Sequence, residues 1–149
     1  MRASPVLQLE HSVEINVSPA FVWKYRTNIA NWNDPPAIFV LDGPFAAGTR
    51  GRTHMPDQAP WHWLIREVQP EELFVLEMQL DGAMLSFEWR FEALSQTRTK
   101  MTQRVLLSGE NAAVYAAEVE QGFGPTLAPG MKRIAAEMAA AALKSTDGR

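Results

Sequence analysis

Apolar and polar residues alternate so regularly over residues 6–17 that this stretch reads as a half-buried strand. Leu7, Leu9, His11, Val13, Ile15 and Val17 fall on one side, with Gln8, Glu10, Ser12, Glu14 and Asn16 on the other. Ser18-Pro19 then stops the strand and opens a helix. A serine can cap, and proline suits the first turn, where the N–H it lacks would have had no partner. Phe21 stands where a capping-box glutamate would be, so the start is only partly specified. Val22, Trp23, Tyr25 and Arg26 continue the helix, and residues 28–32 predict a second short helical piece. Asp34-Pro35-Pro36 ends that piece, because residues before proline avoid helical geometry.

From Ala37 onward the punctuation predicts strands over residues 38–41, 48–55, 61–68 and 73–80, with Asp81-Gly82 as a tight hairpin signal. Trp61, Trp63 and Ile65 share one side of their strand, and Phe74, Leu76, Met78 and Leu80 one side of the next. The following pair constrains most. Leu85, Phe87, Trp89 and Phe91 alternate with Ser86, Glu88, Arg90 and Glu92. Beyond Ser95-Gln96-Thr97, the residues Thr99, Met101, Gln103, Val105 and Leu107 alternate with Lys100, Thr102 and Arg104. A one-residue slip would turn an apolar face outward, so parity restricts the register. A three-residue loop then sets Glu88 opposite Arg104 and Glu92 opposite Lys100, both favourable cross-strand pairs. It also puts Gln103 beside Trp89 on the inner face, where a buried amide needs a hydrogen-bond partner.

Residues 111–121 predict a short helix, with Ala112, Tyr115, Ala116 and Val119 on its apolar side, broken by Gly122-Phe123-Gly124-Pro125. Residues 129–144 then predict one long amphipathic helix across a curved sheet. Met131, Ile134, Ala135, Met138, Ala141 and Ala142 share one face, and Lys132, Arg133, Ala136, Glu137, Ala140 and Lys144 the other. Small and flexible side chains over a concave sheet can leave a void able to hold a ligand. The same stripe also fits a closely packed helix.

At 149 residues, 46% apolar and 21% charged, the chain is a single globular domain over residues 1–149, with its ordered core at residues 6–144. A net charge of -3 gives no electrostatic footprint for nucleic acid. The apolar runs are too short for stable membrane insertion, and the N-terminus lacks the apolar core of a secretory signal, so a cytoplasmic protein is expected. With no cysteine there is neither a thiol nucleophile nor a thiolate metal site.

Three histidines, His11, His54 and His62, invite a metal reading. Parity puts His54 and His62 on the side opposite the pocket face, so neither a metal nor a cofactor is expected. No nucleophile elbow, phosphate-cradling loop or dinucleotide fingerprint is present. Glu77 and Glu88 fall on outer faces, which argues against a paired-carboxylate acid/base site. The candidate ligand-binding residues are therefore an aromatic wall and a few polar groups. Trp61, Trp63, Phe87 and Trp89 are joined by Phe74, Met78 and Thr53 on the strands, with Tyr115, Met131 and Met138 from the helices. His11 and Gln103 supply polar atoms.

The order of strand, two short helices, further strands and long helix resembles the helix-grip fold. That is an α+β architecture in which a curved antiparallel sheet of about seven strands wraps a C-terminal helix. More closely, the chain resembles the polyketide cyclase/dehydrase and lipid-transport members of the START-like (SRPBCC) superfamily. The residues that carry the likeness are Val13-Glu14-Ile15-Asn16-Val17-Ser18-Pro19 with Val22-Trp23, Trp32 before Asp34-Pro35, and Gly48-Thr49-Arg50-Gly51. Trp63 to Val68, Thr102-Gln103-Arg104 before Ser108-Gly109, and Gly130-Met131-Lys132-Arg133 complete it. The resemblance implies binding or transport of a small hydrophobic molecule by a monomer or homodimer. Its enzymatic alternative is a cyclase or dehydratase acting on an aromatic or polyketide-like substrate. An inward acid/base pair would be needed for that, and His11 with Gln103 is a poor one because an amide does not titrate.

Overall fold

A computed structural model describes residues 4–147. Seven antiparallel strands form one sheet in the order β1-β7-β6-β5-β4-β3-β2. They are β1 (Leu7–Ile15), β2 (Ile38–Leu41), β3 (Arg50–His54), β4 (Trp61–Gln69), β5 (Leu73–Leu80), β6 (Ala83–Ser95) and β7 (Arg98–Ser108). Helix α1 (Pro19–Arg26) and a 3-10 turn (Ile29–Asn31) follow β1, and α2 (Ala112–Asp147) closes the chain. The helix-grip expectation holds.

Local chemistry sets these boundaries. Ser18 Oγ accepts the Phe21 amide at 3.3 Å, and Pro19 occupies the first turn of α1. Leu80 faces Ala83 across Asp81-Gly82, where Gly82 has φ +71, a left-handed conformation that glycine adopts without strain. Gly51 serves a different end: a Cβ there would lie 2.3 Å from the Trp63 ring, so only glycine lets the indole cross β3.

The register matches parity in the decisive hairpin, with Glu88 opposite Arg104, Trp89 opposite Gln103 and Glu92 opposite Lys100. In β4 a bulge lies between Ile65 and Glu67. It shifts the alternation by one residue, so Val68 rather than Glu67 faces Phe74.

One expectation is corrected. The predicted break at Gly122–Pro125 is absent, and residues 112–147 form a single helix that contains Pro125 and Pro129. Tertiary contacts outweigh the breakers. The start of α2 is pinned to the β5–β6 turn, with Asn111 donating to the Gly82 and Asp81 carbonyls and the Tyr115 hydroxyl donating to the Asp81 carbonyl at 3.3 Å. Thr126 Oγ1 donates to the Gly122 carbonyl at 3.1 Å within the glycine-rich turn. Ala112, Val119, Leu127, Met131 and Met138 are all buried, a single stripe running through both halves. The helix lies chiefly along β1 and β7 rather than over the middle of the sheet.

Candidate ligand-binding site

Cross-strand pairing assembles one inner row from five strands: Val68 on β4, Phe74 on β5, Trp89 on β6, Gln103 on β7 and His11 on β1. The row passes from fully apolar to polar as it nears the edge where α2 lies. Phe74 has no exposed surface and Trp89 only 3%, and their rings stack with centroids 5.9 Å apart. Phe45 meets Phe74 edge-on at 5.0 Å, and Trp23 of α1 meets Phe91 at 5.3 Å. This cluster is the floor beneath α1.

Above that floor stands a residue that the sequence reading treated only as a continuation of α1. The Arg26 guanidinium lies 4.0 Å from the Trp89 ring centroid and 4.7 Å from that of Trp32. Trp32 is held there by its own Nε1, which donates to the Arg26 carbonyl at 2.7 Å. Arg26 is half-buried as a whole, yet its Nε is sealed from solvent and meets no acceptor. Among the described residues no carboxylate lies within ion-pair distance of it. Burial pushes its pKa down to about 9; the field of Glu137 opposes that shift, and Arg133 adds to it. The group therefore stays cationic at neutral pH. Taking a cation out of water costs several kcal/mol, of which two ring faces return about 1–2 kcal/mol each.

Around Arg26 lies a small charged rim. Burial raises the Tyr25 pKa, with Glu137 adding to the rise and Arg26 opposing it. Arg133 of α2 bridges to Glu137 at 3.8 Å and to Asp34, in the loop before β2, at 3.3 Å. That second contact ties α2 to the loop before β2.

The sequence-predicted residues separate into groups. Met131 and Met138 are buried on α2, and Trp63 is buried with its Nε1 donating to Thr53 Oγ1 at 3.0 Å. Trp63 also stacks on Trp32 at 5.8 Å, which joins it to the Arg26 group. Phe87 and Met78 are half-buried on the inner face, Phe87 edge-on to Phe123 of α2 at 5.3 Å. Tyr115 anchors the start of α2, as described above. Trp61 departs from the expected wall: it shares the inner parity but is 43% exposed at the start of β4. Gln103 and His11 are half-buried neighbours in the inner row. His11 lines a partly open cleft of about 230 Å³ between β1 and α2, with Leu9, Glu10, Gly124, Leu127 and Ala128. His54 lies in the outer set, accepting from Arg52 Nε at 3.1 Å. His62, opposite Arg52, borders a hollow of about 270 Å³ with Arg50, Glu77 and Gln79. Glu77 and Glu88 also face outward, Glu77 bridging to Arg66 at 2.9 Å and Glu88 to Arg90 at 2.6 Å.

Residues 6–146 match the family described as polyketide cyclase / dehydrase and lipid transport. No curated protein matches the chain by sequence. Among solved structures, the Zhui aromatase/cyclase from Streptomyces sp. R1128 is similar, with a TM-score of 0.70 at 15% identity over 89% of this chain and 93% of that one. Norcoclaurine synthase from Thalictrum flavum, in complex with dopamine and hydroxybenzaldehyde, gives 0.66 at 16% identity over 89% and 86%. A protein from Arthrobacter aurescens gives 0.69 at 16% identity over 90% and 87%. At such identities these likenesses speak for the fold. Among the described residues no helix is long and apolar enough to cross a membrane.

Proposed function

The chain belongs to the polyketide cyclase/dehydrase and lipid transport family, and from that premise we propose that it binds a small hydrophobic molecule between the sheet and α2. The observation that carries this reading is the inner row Phe74–Trp89–Gln103–His11. It sets aromatic surface beside two half-buried polar side chains under a helix that leans on one edge of the sheet. A few oriented polar groups in an apolar surround are what a small-molecule site consists of. In this reading Phe74, Trp89, Phe87, Met78 and Trp63 form the apolar wall, with Met131 and Met138 opposite. Gln103 and His11 orient a polar atom of the ligand.

Cyclase or dehydratase activity is the competing reading within the same family. The outward, ion-paired positions of Glu77 and Glu88 favour the binder, since those carboxylates face away from the inner row. The test is mass spectrometry of protein purified under native conditions, joined to titration with 2-naphthol followed by tryptophan fluorescence. Release of an apolar compound and saturable quenching are expected. A protein that carries nothing and leaves its tryptophan emission unchanged by 2-naphthol would overturn the reading.

A further inference from the structure

We infer that Arg26 is an anion anchor and that the molecule held over the inner row is a flat, apolar carboxylate, the acid group meeting Arg26 and the hydrocarbon lying along the row toward Gln103 and His11. This rests on the binding role proposed above and names the class of ligand.

The first ground is geometric. Rings cover the guanidinium, Trp89 at 4.0 Å and Trp32 at 4.7 Å, so its remaining partners must approach in its own plane. In-plane approach to that fork is how guanidinium binds a carboxylate, through two parallel N–H···O bonds.

The second ground is an unmet demand. Nε is sealed from solvent and has no acceptor, and no described carboxylate pairs with the group. A methionine would fill the space between two indoles without the desolvation cost, so the charge is not explained by packing. Glu137 is the acidic group that Arg26 senses most, yet its carboxylate bridges to Arg133 instead. The counter-charge is nearby but not in place, which leaves the guanidinium, half-buried as a whole, without a fixed anion.

The third ground is position. Trp89 carries Arg26 on its face and has Gln103 as its cross-strand neighbour, so a cation and an amide flank one indole. Phe74 has no exposed surface, so an acid whose oxygens reach Arg26 lays its apolar part the other way along the row, toward the half-buried Gln103 and His11 and the cleft beside α2.

Two probes of the same shape, 2-naphthoate and 2-naphthamide, separate the parts of this inference. In the unaltered protein, 2-naphthoate should bind about 10- to 100-fold tighter than the amide, as expected for one charge-assisted pair. Arg26→Met should abolish that preference, 2-naphthoate then binding no tighter than the amide. Arg26→Lys, which keeps charge but not the fork, should restore only part of it. Glu137→Gln should tighten 2-naphthoate and leave the amide unchanged. Equal affinity for both probes in the unaltered protein overturns the anion anchor and leaves the apolar site standing. Binding of neither removes both. The comparison within the unaltered protein needs no variant to fold.

Discussion

The two faces of the β6–β7 hairpin treat polar side chains in opposite ways. On the outer face, where water could solvate every charge, several charges are nonetheless paired. Arg104 reaches Glu10 at 2.7 Å and Glu88 at 3.5 Å, Glu88 also holds Arg90, and Arg98 bonds Glu14 and Asn16. Ser12 and Thr102 join hydroxyls at 2.7 Å on the same side. On the inner face, where water is scarce, Gln103 lies beside Trp89, and above them Arg26 Nε meets no acceptor. Stability alone would produce the reverse, since exposed pairs contribute little and an unmet buried group costs about 1–3 kcal/mol. The outer pairs fix register. The inner groups fit the ligand-recognition role proposed above, in which the missing partner arrives with the ligand.

The strongest way to break this contrast is to remove its floor. Phe74→Ala deletes a fully buried ring that packs on Trp89, Phe45, Trp23 and Phe91. It should cost about 3–5 kcal/mol in urea unfolding. A loss below about 1 kcal/mol would mean that the row is not a packed platform.

Next comes Arg26→Met, which should stabilise the unliganded protein by about 1–4 kcal/mol, as apolar replacement of a buried ion commonly does. Here the pH dependence has a definite sign. The folded pKa of about 9 lies below the ordinary arginine value, so between the two the unfolded chain binds the proton and the folded chain does not. The burial penalty is thus complete below about pH 9 and fades as pH rises through it. The advantage of the methionine variant should be greatest at about pH 7 and smaller at about pH 10, read from urea midpoints at both. A gap that widens with pH would refute the burial of the cation.

Gln103→Leu sharpens the contrast more gently. It should leave the fold intact, while 2-naphthoate binding, followed by tryptophan fluorescence, weakens by about 1–3 kcal/mol. The smallest effect belongs to the outer face. Arg104→Ala leaves Glu88 its contact with Arg90 and should cost under about 1 kcal/mol by the same urea assay.

Much of this arrangement was legible before any coordinates. The alternation of Phe87–Trp89–Phe91 against Met101–Gln103–Val105 sufficed to place Glu88 by Arg104 and Trp89 by Gln103, because a period of two leaves parity no freedom. The bulge at residues 65–67 was not legible, since the extra residue, Arg66, is ordinary in type and only pairing reveals it. Nor was the continuity of α2. Gly122, Gly124, Pro125 and Pro129 are local signals, and the Asn111 and Tyr115 anchors that override them depend on a turn 30 residues away in sequence. Arg26 escaped for a similar reason. A cation at the end of a short helix is normally solvated, and only the fold carries it between Trp32 and Trp89. Its one sequence trace is the company of Trp23, Tyr25 and Trp32 on either side.

The two prolines inside α2 also decide where that helix is soft. Neither has an N–H, so the carbonyls of Gln121 and Pro125 lose the donors that would otherwise lock the turns together. The start is bolted to the β5–β6 turn through Asn111 and Tyr115, and the second half is tied to the loop before β2 through Arg133 and Asp34. Between those fixings α2 is a jointed beam rather than a rod, and the joint, residues 124–128, stands directly across from His11 and Leu9. A change of angle at that joint would alter the width of the cleft beside β1, while every strand pair of the sheet lies outside it.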